Sequence, residues 1–301
     1  MRDLPLVSIV VVSYNQGRFI RENLDSIKAQ TYPNIELIVA DDASPDNSVE
    51  IFNEWLVEHN YPAQKIYHIQ NTGLATVLNE CIAVATGKYI KLIAADDFLH
   101  PESIEKCVAK LEELGEEYGM VFTDINAVNS YSEIIADIAD YNSLGLVNPE
   151  VFRRNLKKNN QIAALSVLMR TSVLKTTGPY NSEMIVEDYQ KWLQINDRYY
   201  IAYIPQKLCY YRQHEGNISK LKEQRITNES LWLTIKHDPA GEIKEYINER
   251  IQLQYYRGTI FNDPNLINSF LNYPFRNRTL AVCIQKRIPF FCYRILKRIK
   301  V

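Results

Sequence analysis

Two pairs of adjacent carboxylates and one aromatic residue stand where chemistry could be done. Tyr14 follows the apolar run Val7–Val12, Asp41-Asp42 follow the run Ile35–Ala40, and Asp96-Asp97 come shortly after the run Lys88–Ile93. A flat phenol ring can stack on a nucleobase, and a carboxylate can accept the imide hydrogen of uracil, which cytosine lacks. Taken singly, the plainer readings are a packed aromatic at a strand end for Tyr14 and a helix N-cap region for Asp41-Asp42. The pair Asp96-Asp97 asks for more. Neighbouring acids repel, and a divalent cation carrying diphosphate oxygens would offset that repulsion, since Mg²⁺ commonly takes one or two carboxylates together with phosphates. Capping of the following helix accounts for one of these two acids and not for both. The chain contains neither Gly-x-Gly nor Gly-x4-Gly-Lys-Ser/Thr, which excludes the dinucleotide fingerprint and a P-loop respectively, so phosphate would be held through a metal and not in a glycine-lined backbone nest.

The elements that must position these groups alternate regularly through the first 126 residues. The runs 7–12, 35–40, 65–69, 88–93 and 120–125 read as strands. Between them, 18–30, 48–58, 73–85 and 100–114 have helical spacing, the last with Pro101 in its first turn. Strand and helix in turn predict a parallel sheet with helices on both faces and ligands at the carboxyl ends of the strands. After Asn126 the rhythm breaks. Residues 149–157 read as a short helix, 163–169 as an apolar stretch, 187–195 as a helix and 199–204 as a strand. From Ile218 onward the pattern is helical, interrupted by Pro239, Pro264, Pro274 and Pro289.

Composition narrows the function classes. Of the 301 residues 34 are Lys or Arg and 36 are Asp or Glu, yet every carboxylate lies at or before Asp263. From Arg276 onward eight basic residues are interleaved with Leu280, Ile284, Phe291, Ile295 and Ile299. An acidic body argues against general nucleic-acid binding, while the basic, apolar segment has the layout of a helix lying on an anionic membrane surface, with a solvated basic helix end as the alternative. Five cysteines without a Cys-x-x-Cys pair suggest neither a disulfide framework nor a zinc site. The run from Leu6 to Val12 lacks the features of a signal peptide, and nowhere do 18 apolar residues follow one another. The expected location is cytoplasmic, with peripheral attachment to the inner face of the cell membrane through the basic segment.

The blocks Val-Ser-Ile-Val-Val-Val-Ser-Tyr-Asn (7–15), Ile-Glu-Leu-Ile-Val-Ala-Asp-Asp-Ala-Ser (35–44), Asn71-x-Gly73, Asn79, Gly-Lys-Tyr-Ile (87–90) and Ala-Asp-Asp-Phe (95–98) resemble, in order and spacing, the family 2 glycosyltransferases of the GT-A fold. The similarity extends more thinly to Glu-Asp-Tyr-Gln-Lys-Trp-Leu (187–193) and Tyr-Arg-Gln-His-Glu-Gly-Asn-Ile-Ser (211–219), covering about the first 220 residues. The resemblance implies an α/β, Rossmann-like, mostly parallel sheet flanked by helices. It implies a catalytic domain over 1–220, with a helical C-terminal extension over 221–301. It gives Tyr14 the base-stacking role, Asp42 the reading of the base, and Asn71 and Gly73 the loop closing over the nucleotide. Asp96 and Asp97 match the motif that holds ribose and metal, His214 a histidine that in some relatives adds a metal contact, and Asp188 the catalytic base. Two positions depart from the pattern: Ala94 stands where an acid is frequent, and Leu78 where an Arg often precedes Asn79.

The implied activity is inverting transfer of a sugar from a nucleotide-sugar donor, most simply a UDP-sugar, with Mn²⁺ or Mg²⁺. A glycan or lipid-linked glycan would be the acceptor, in surface polysaccharide assembly. The alternative is a sugar-nucleotide-binding protein without turnover, for which the missing acid at position 94 speaks. A nucleotidyltransferase is disfavoured by the absent glycine-rich first loop.

Overall fold

The structure, a computed structural model, describes residues 4–216 and 222–299. The expected boundary after residue 220, the start of the helical pattern at Ile218, and Lys300 and Val301 lie outside the described residues. The chain divides into two compact units: Met1–Pro149 with Gln161–Glu183 and Gln194–Asn217, and Glu150–Asn160 with Met184–Leu193 and Ile218–Val301.

The first unit is built on one sheet. Its strands are β1 (Val7–Ser13), β2 (Ile35–Asp41), β3 (Ala63–Tyr67), β4 (Tyr89–Ala94), β5 (Phe98–Leu99), β6 (Tyr118–Val128), β7 (Leu168–Arg170) and β8 (Tyr200–Arg212). They lie in the order β3-β2-β1-β4-β7-β6-β8-β5. Among the described residues the α-helices are α1 (Gly17–Lys28), α2 (Ser48–Glu58), α3 (Leu74–Val84), α4 (Ser103–Leu114), α5 (Tyr141–Gly145), α6 (Pro149–Leu156), α7 (Thr171–Thr177), α8 (Glu187–Asn196), α9 (Glu223–Lys236), α10 (Lys244–Arg257), α11 (Pro264–Asn272), α12 (Arg278–Gln285) and α13 (Phe290–Ile299).

The β-branched run of β1 is buried at every position, as a central parallel strand flanked on both faces must be. It pairs in parallel with β2, Ser13 opposite Asp41, and with β4, Val12 opposite Ala94. The residues that follow these partners, Tyr14, Asp42 and Ala95, therefore emerge at the same edge. Gly87 permits the β1–β4 pairing, because a Cβ there would stand 2.6 Å from both the backbone nitrogen and Oγ of Ser8.

Three features depart from the sequence reading. The sheet is mixed, because β7, at the end of the apolar stretch 163–169, inserts antiparallel between β4 and β6, and the two-residue β5 pairs antiparallel with β8. A three-residue strand has too little pattern for its direction to be legible. β8 continues to Arg212 because a bulge between Ile204 and Lys207 accommodates Pro205, whose missing N–H breaks the ladder with β6 only locally. Helix α4 begins at Ser103 and not at His100, whose N–H instead bonds the carbonyl of Leu208.

The second unit buries its own cluster, including Leu231, Ile247, Ile251, Tyr255, Phe270, Leu280, Cys283 and Tyr293. The basic C-terminal segment is thus partly core. Tyr293 of α13 is buried and its hydroxyl donates to Gln252 at 2.9 Å. Phe291, Ile295 and Leu296 remain 65%, 55% and 41% exposed, among exposed Arg294, Lys297 and Arg298, which leaves an apolar stripe with cations beside it.

Candidate active site

Asp42, one residue beyond β2, is almost wholly buried and organises the loop after β3. Its Oδ1 accepts from the N–H of Thr72 (2.8 Å), the hydroxyl of Thr72 (3.0 Å) and Nδ1 of His68 (2.9 Å), and its Oδ2 accepts from the N–H of Gly73 (2.8 Å). Burial alone would raise this carboxyl, but these bonds together outweigh it and hold the group below the ordinary carboxylate range. Gly73 adopts φ +89°, a left-handed conformation open to glycine without strain. Asn71 donates from Nδ2 to the Asp42 carbonyl at 3.3 Å. Asp41 is spent locally, accepting from the N–H and the hydroxyl of Ser44 at 2.8 and 2.6 Å.

The ring of Tyr14 is 51% exposed. It is not the packed aromatic of the plainer reading; it offers a face at the end of β1, beside a turn in which Asn15 takes φ +57° and donates its N–H to Ser44 Oγ.

The second acidic pair divides. Asp96 Oδ2 lies 2.9 Å from Nε2 of His214, two residues beyond β8. The Gly216 N–H is directed at the ring's other nitrogen at 3.1 Å, so the proton between His214 and Asp96 belongs to Nε2. Asp97 turns the other way, its Oδ1 accepting from the backbone N–H of Arg212 at 2.9 Å. Burial, then the charge of Asp96, pushes the Asp97 carboxyl well above the ordinary range, against the pull of that N–H and of the Arg212 and Lys91 charges.

Arg212 is the residue that sequence reasoning passed over. Its guanidinium, 1% exposed, donates from Nε to the Asp96 carbonyl (2.7 Å), from Nη1 to the Asn129 carbonyl and Ser132 Oγ (3.0 Å each), and from Nη2 to Glu22 (2.5 Å), and it lies 4.4 Å from the centroid of Phe19. Asn23 of α1 adds a bond from Nδ2 to the Asp97 carbonyl at 2.8 Å. The backbone of the acidic turn is thereby fixed from α1 and β8 together. Its signal was the Arg inside the 211–219 block, but nothing in one sequence says that its partners would be carbonyls of residues more than 80 positions away. Asn79 serves the fold, exchanging two hydrogen bonds with the backbone of Tyr180 at 2.9 and 2.8 Å.

A divalent cation can be tested against this donor set. The separation of 2.9 Å between Asp96 Oδ2 and His214 Nε2 is close to the ~3 Å that two adjacent ligands keep at metal–oxygen distances of ~2.1 Å. A cation would replace the Nε2 proton, and the Gly216 N–H would have to turn away as Nδ1 takes a proton. Asp97 does not join them, and among the described residues no group of three His, Cys, Asp or Glu side chains is arranged as a metal site. The protein's donors fit as a partial set, which diphosphate oxygens would complete.

Asp188 belongs to the second unit, in the first turn of α8. Its Oδ1 accepts from the Tyr189 N–H (2.6 Å) and its Oδ2 from Asn160 Nδ2 (3.2 Å). Burial raises its pKa in spite of those bonds, and burial together with the Asp188 charge pushes Glu187 up to about 8. Glu229 holds the approach to α8, accepting from the N–H groups of Ile185 (2.7 Å) and Val186 (3.3 Å). The sequence-derived residues Tyr14, Asp42, Asn71, Gly73, Asp96, Asp97 and His214 all lie in the first unit.

Comparison with known proteins agrees with this geometry. The profile described as "Glycosyl transferase family 2" matches residues 8–176. An "Uncharacterized glycosyltransferase" of Haemophilus influenzae is 28% identical over 285 residues, covering 89% of this chain and 80% of that protein. A hyaluronan synthase of Pasteurella multocida is 27% identical over 262 residues, covering 86% of this chain but only 26% of that longer protein. Among solved structures, S. aureus TarS 1–349 in complex with UDP-GlcNAc superposes with a TM-score of 0.66 at 18% identity, over 89% of this chain and 80% of that one. With more than half of its length matched by the family profile, and with the α/β sheet that the resemblance implied, the chain belongs to glycosyl transferase family 2 and is a glycosyltransferase of the GT-A type.

Proposed function

We propose that the protein transfers a sugar with inversion from a UDP-sugar to a glycan or lipid-linked glycan during surface polysaccharide assembly. The observation that carries the donor half is the joint placement, at one sheet edge, of an exposed Tyr14 ring, a loop pinned by Asp42, and the Asp96–His214 pair. Tyr14 stacks on the base, Asn71 and Gly73 close over the nucleotide, and Asp42, whose Oδ2 accepts from the Gly73 N–H and keeps a lone pair for a second donor, reads the imide. Asp96 and His214 would hold Mn²⁺ or Mg²⁺, and the cation would supply counter-charge for a diphosphate leaving group. Asp97 and Arg212 fix the turn that presents Asp96. Asp188 removes the proton of the attacking hydroxyl, a role suited to a carboxylate whose pKa burial has raised. The catalytic domain proposed over residues 1–220 thus cuts across the two packing units. The similarity to a hyaluronan synthase and the UDP-GlcNAc bound by TarS support a polysaccharide context and a UDP donor.

Incubating the protein with a panel of UDP-, GDP- and dTDP-sugars, Mn²⁺ and glycan acceptors tests the reading. Acceptor-dependent release of UDP is the expected result. Donor binding without acceptor-dependent release would favour a binding protein, and preference for GDP- or dTDP-sugars would overturn the UDP assignment.

No described helix is long and apolar enough to cross a membrane; we place attachment at the inner leaflet through the exposed Phe291–Ile295 stripe and its cations. Each Lys or Arg near an anionic leaflet contributes ~1 kcal/mol, so reversing Arg294, Lys297 and Arg298 to Glu should lower partition onto anionic vesicles at low salt by about 10²-fold or more. Truncation before α12 is a poorer test, because it removes buried Leu280, Cys283, Ile284 and Tyr293 from the core. Equal co-sedimentation of the reversed and native chains would leave α13 as a packing helix alone.

A further inference from the structure

His68, just after β3, is absorbed neither by the family motif nor by the proposed chemistry. Its backbone N–H bonds the carbonyl of Asp41 at 2.9 Å, which fixes the ring's origin beside the end of β2. Both ring nitrogens face carboxylates: Nδ1 stands 2.9 Å from Asp42 Oδ1, and Nε2 stands 2.8 Å from Oε2 of Glu80 on α3. The Thr72 hydroxyl lies 2.9 Å from Nδ1 and 3.0 Å from Asp42 Oδ1.

A neutral imidazole carries one N–H, so it could satisfy only one of these carboxylates and would set a lone pair against the other. Only the imidazolium donates at both ends. We infer that His68 is a positioning residue for the donor: doubly protonated, it ties Asp42 to Glu80 and so holds the Asn71–Gly73 loop in the form that receives the nucleotide. The inference deepens the nucleotide-site reading and rests on it for the ligand, although not for the clamp itself.

The consequence has a sign. The charged groups that act on the ring are Glu80 from α3 and Asp42 from the end of β2; burial works against protonation, but the two acids prevail and the His68 pKa is raised. Its proton is therefore retained below that raised value and lost as pH climbs through it. Loss removes the positive charge from the one ionisable donor that Asp42 has among the described residues, and Thr72 and Gly73, whose N–H groups both end on Asp42, are the backbone that loosens.

Three readouts test this on the full chain. The His68 ring resonances, assigned by their absence in His68→Gln, should titrate above the ordinary value of about 6.5, and amide exchange at Thr72 and Gly73 should be faster in His68→Gln than in the wild type at pH 7. UDP affinity in the presence of Mg²⁺ should weaken by about three- to tenfold more in the wild type than in His68→Gln between pH 7 and 9. The ionisations of UDP itself cancel in that comparison. Glu80→Gln should bring the wild-type transition to lower pH. A His68 titration at or below the ordinary value overturns the proposal, as do equal amide exchange or parallel pH curves in the two proteins. Failure of UDP to bind the wild type at any pH would instead remove the UDP reading, while ring titration and amide exchange still judge the clamp.

Discussion

Asp188→Asn lowers the transfer rate by about 10²–10⁴-fold, the span expected when a positioned general base is lost, while UDP affinity stays near that of the wild type. The split follows from where the residue stands. Asp188 belongs to the unit that carries none of the proposed donor ligands, and its hydrogen bonds to the Tyr189 N–H and the Asn160 amide can be kept by the isosteric amide oxygen on one side with a flipped or weakened contact on the other. Glu187 supplies the control. Pushed up to about 8 by burial and by its neighbour's charge, it is mostly protonated at pH 7, so Glu187→Gln replaces a neutral acid with a neutral amide and costs little. The pH profile carries the same sign. A base works ionised, and burial raises the Asp188 pKa, so the acid limb of kcat/KM lies above the ordinary Asp value of about 3.9 and activity falls as pH drops through that raised value. Single-turnover transfer by Asp188→Asn at a rate close to wild type would take the residue out of the mechanism; a loss of the same size in Glu187→Gln would transfer the role to its neighbour.

The parts of this site that could be read in the sequence are those whose cause is local. β1, β2 and β4 declare themselves as continuous apolar runs because both faces are covered, and the residues just past their ends follow from parallel topology alone, which is why Tyr14, Asp42 and Asp96 share an edge. What stayed hidden depends on partners far along the chain. Residues 96 and 97 are chemically identical in sequence, and only the passage of β8 alongside decides that Asp97 meets the Arg212 N–H while Asp96 meets His214. His68 carries no local mark of function, since its two acids come from the residue just past β2 and from α3, 26 and 12 positions away. The short β7 is legible as apolar but not as antiparallel, because three residues carry too little pattern to set a direction. In the C-terminal segment the amphipathic spacing was legible, but one period-four stripe cannot tell that Tyr293, on another face of the same helix, is buried in the second unit's core.

The same division of the acidic pair gives the second large effect. Asp96→Asn should abolish the strengthening of UDP binding by Mn²⁺, a loss of about tenfold or more, equivalent to upwards of ~1.4 kcal/mol, because an amide oxygen is a poor substitute for an anionic ligand of a hard cation. His214→Ala should lose part of it. Asp97→Asn should keep the Mn²⁺ enhancement: the Asp97 oxygen accepts from a backbone N–H, which an amide carbonyl can also accept, and the turn is held independently through Arg212 Nε on the Asp96 carbonyl and Asn23 on the Asp97 carbonyl. Arg212→Lys tests that support from the other side. An ammonium cannot reproduce a guanidinium that donates to Asp96, Asn129, Ser132 and Glu22 at once, so this variant should weaken UDP binding with and without metal, whereas Asp96→Asn should weaken only the metal-dependent part. Calorimetric titration of UDP with and without Mn²⁺ separates these cases. An Asp97→Asn protein that loses the Mn²⁺ response while Asp96→Asn retains it would reverse the assignment of the two carboxylates and place the cation on the β8 side of the turn.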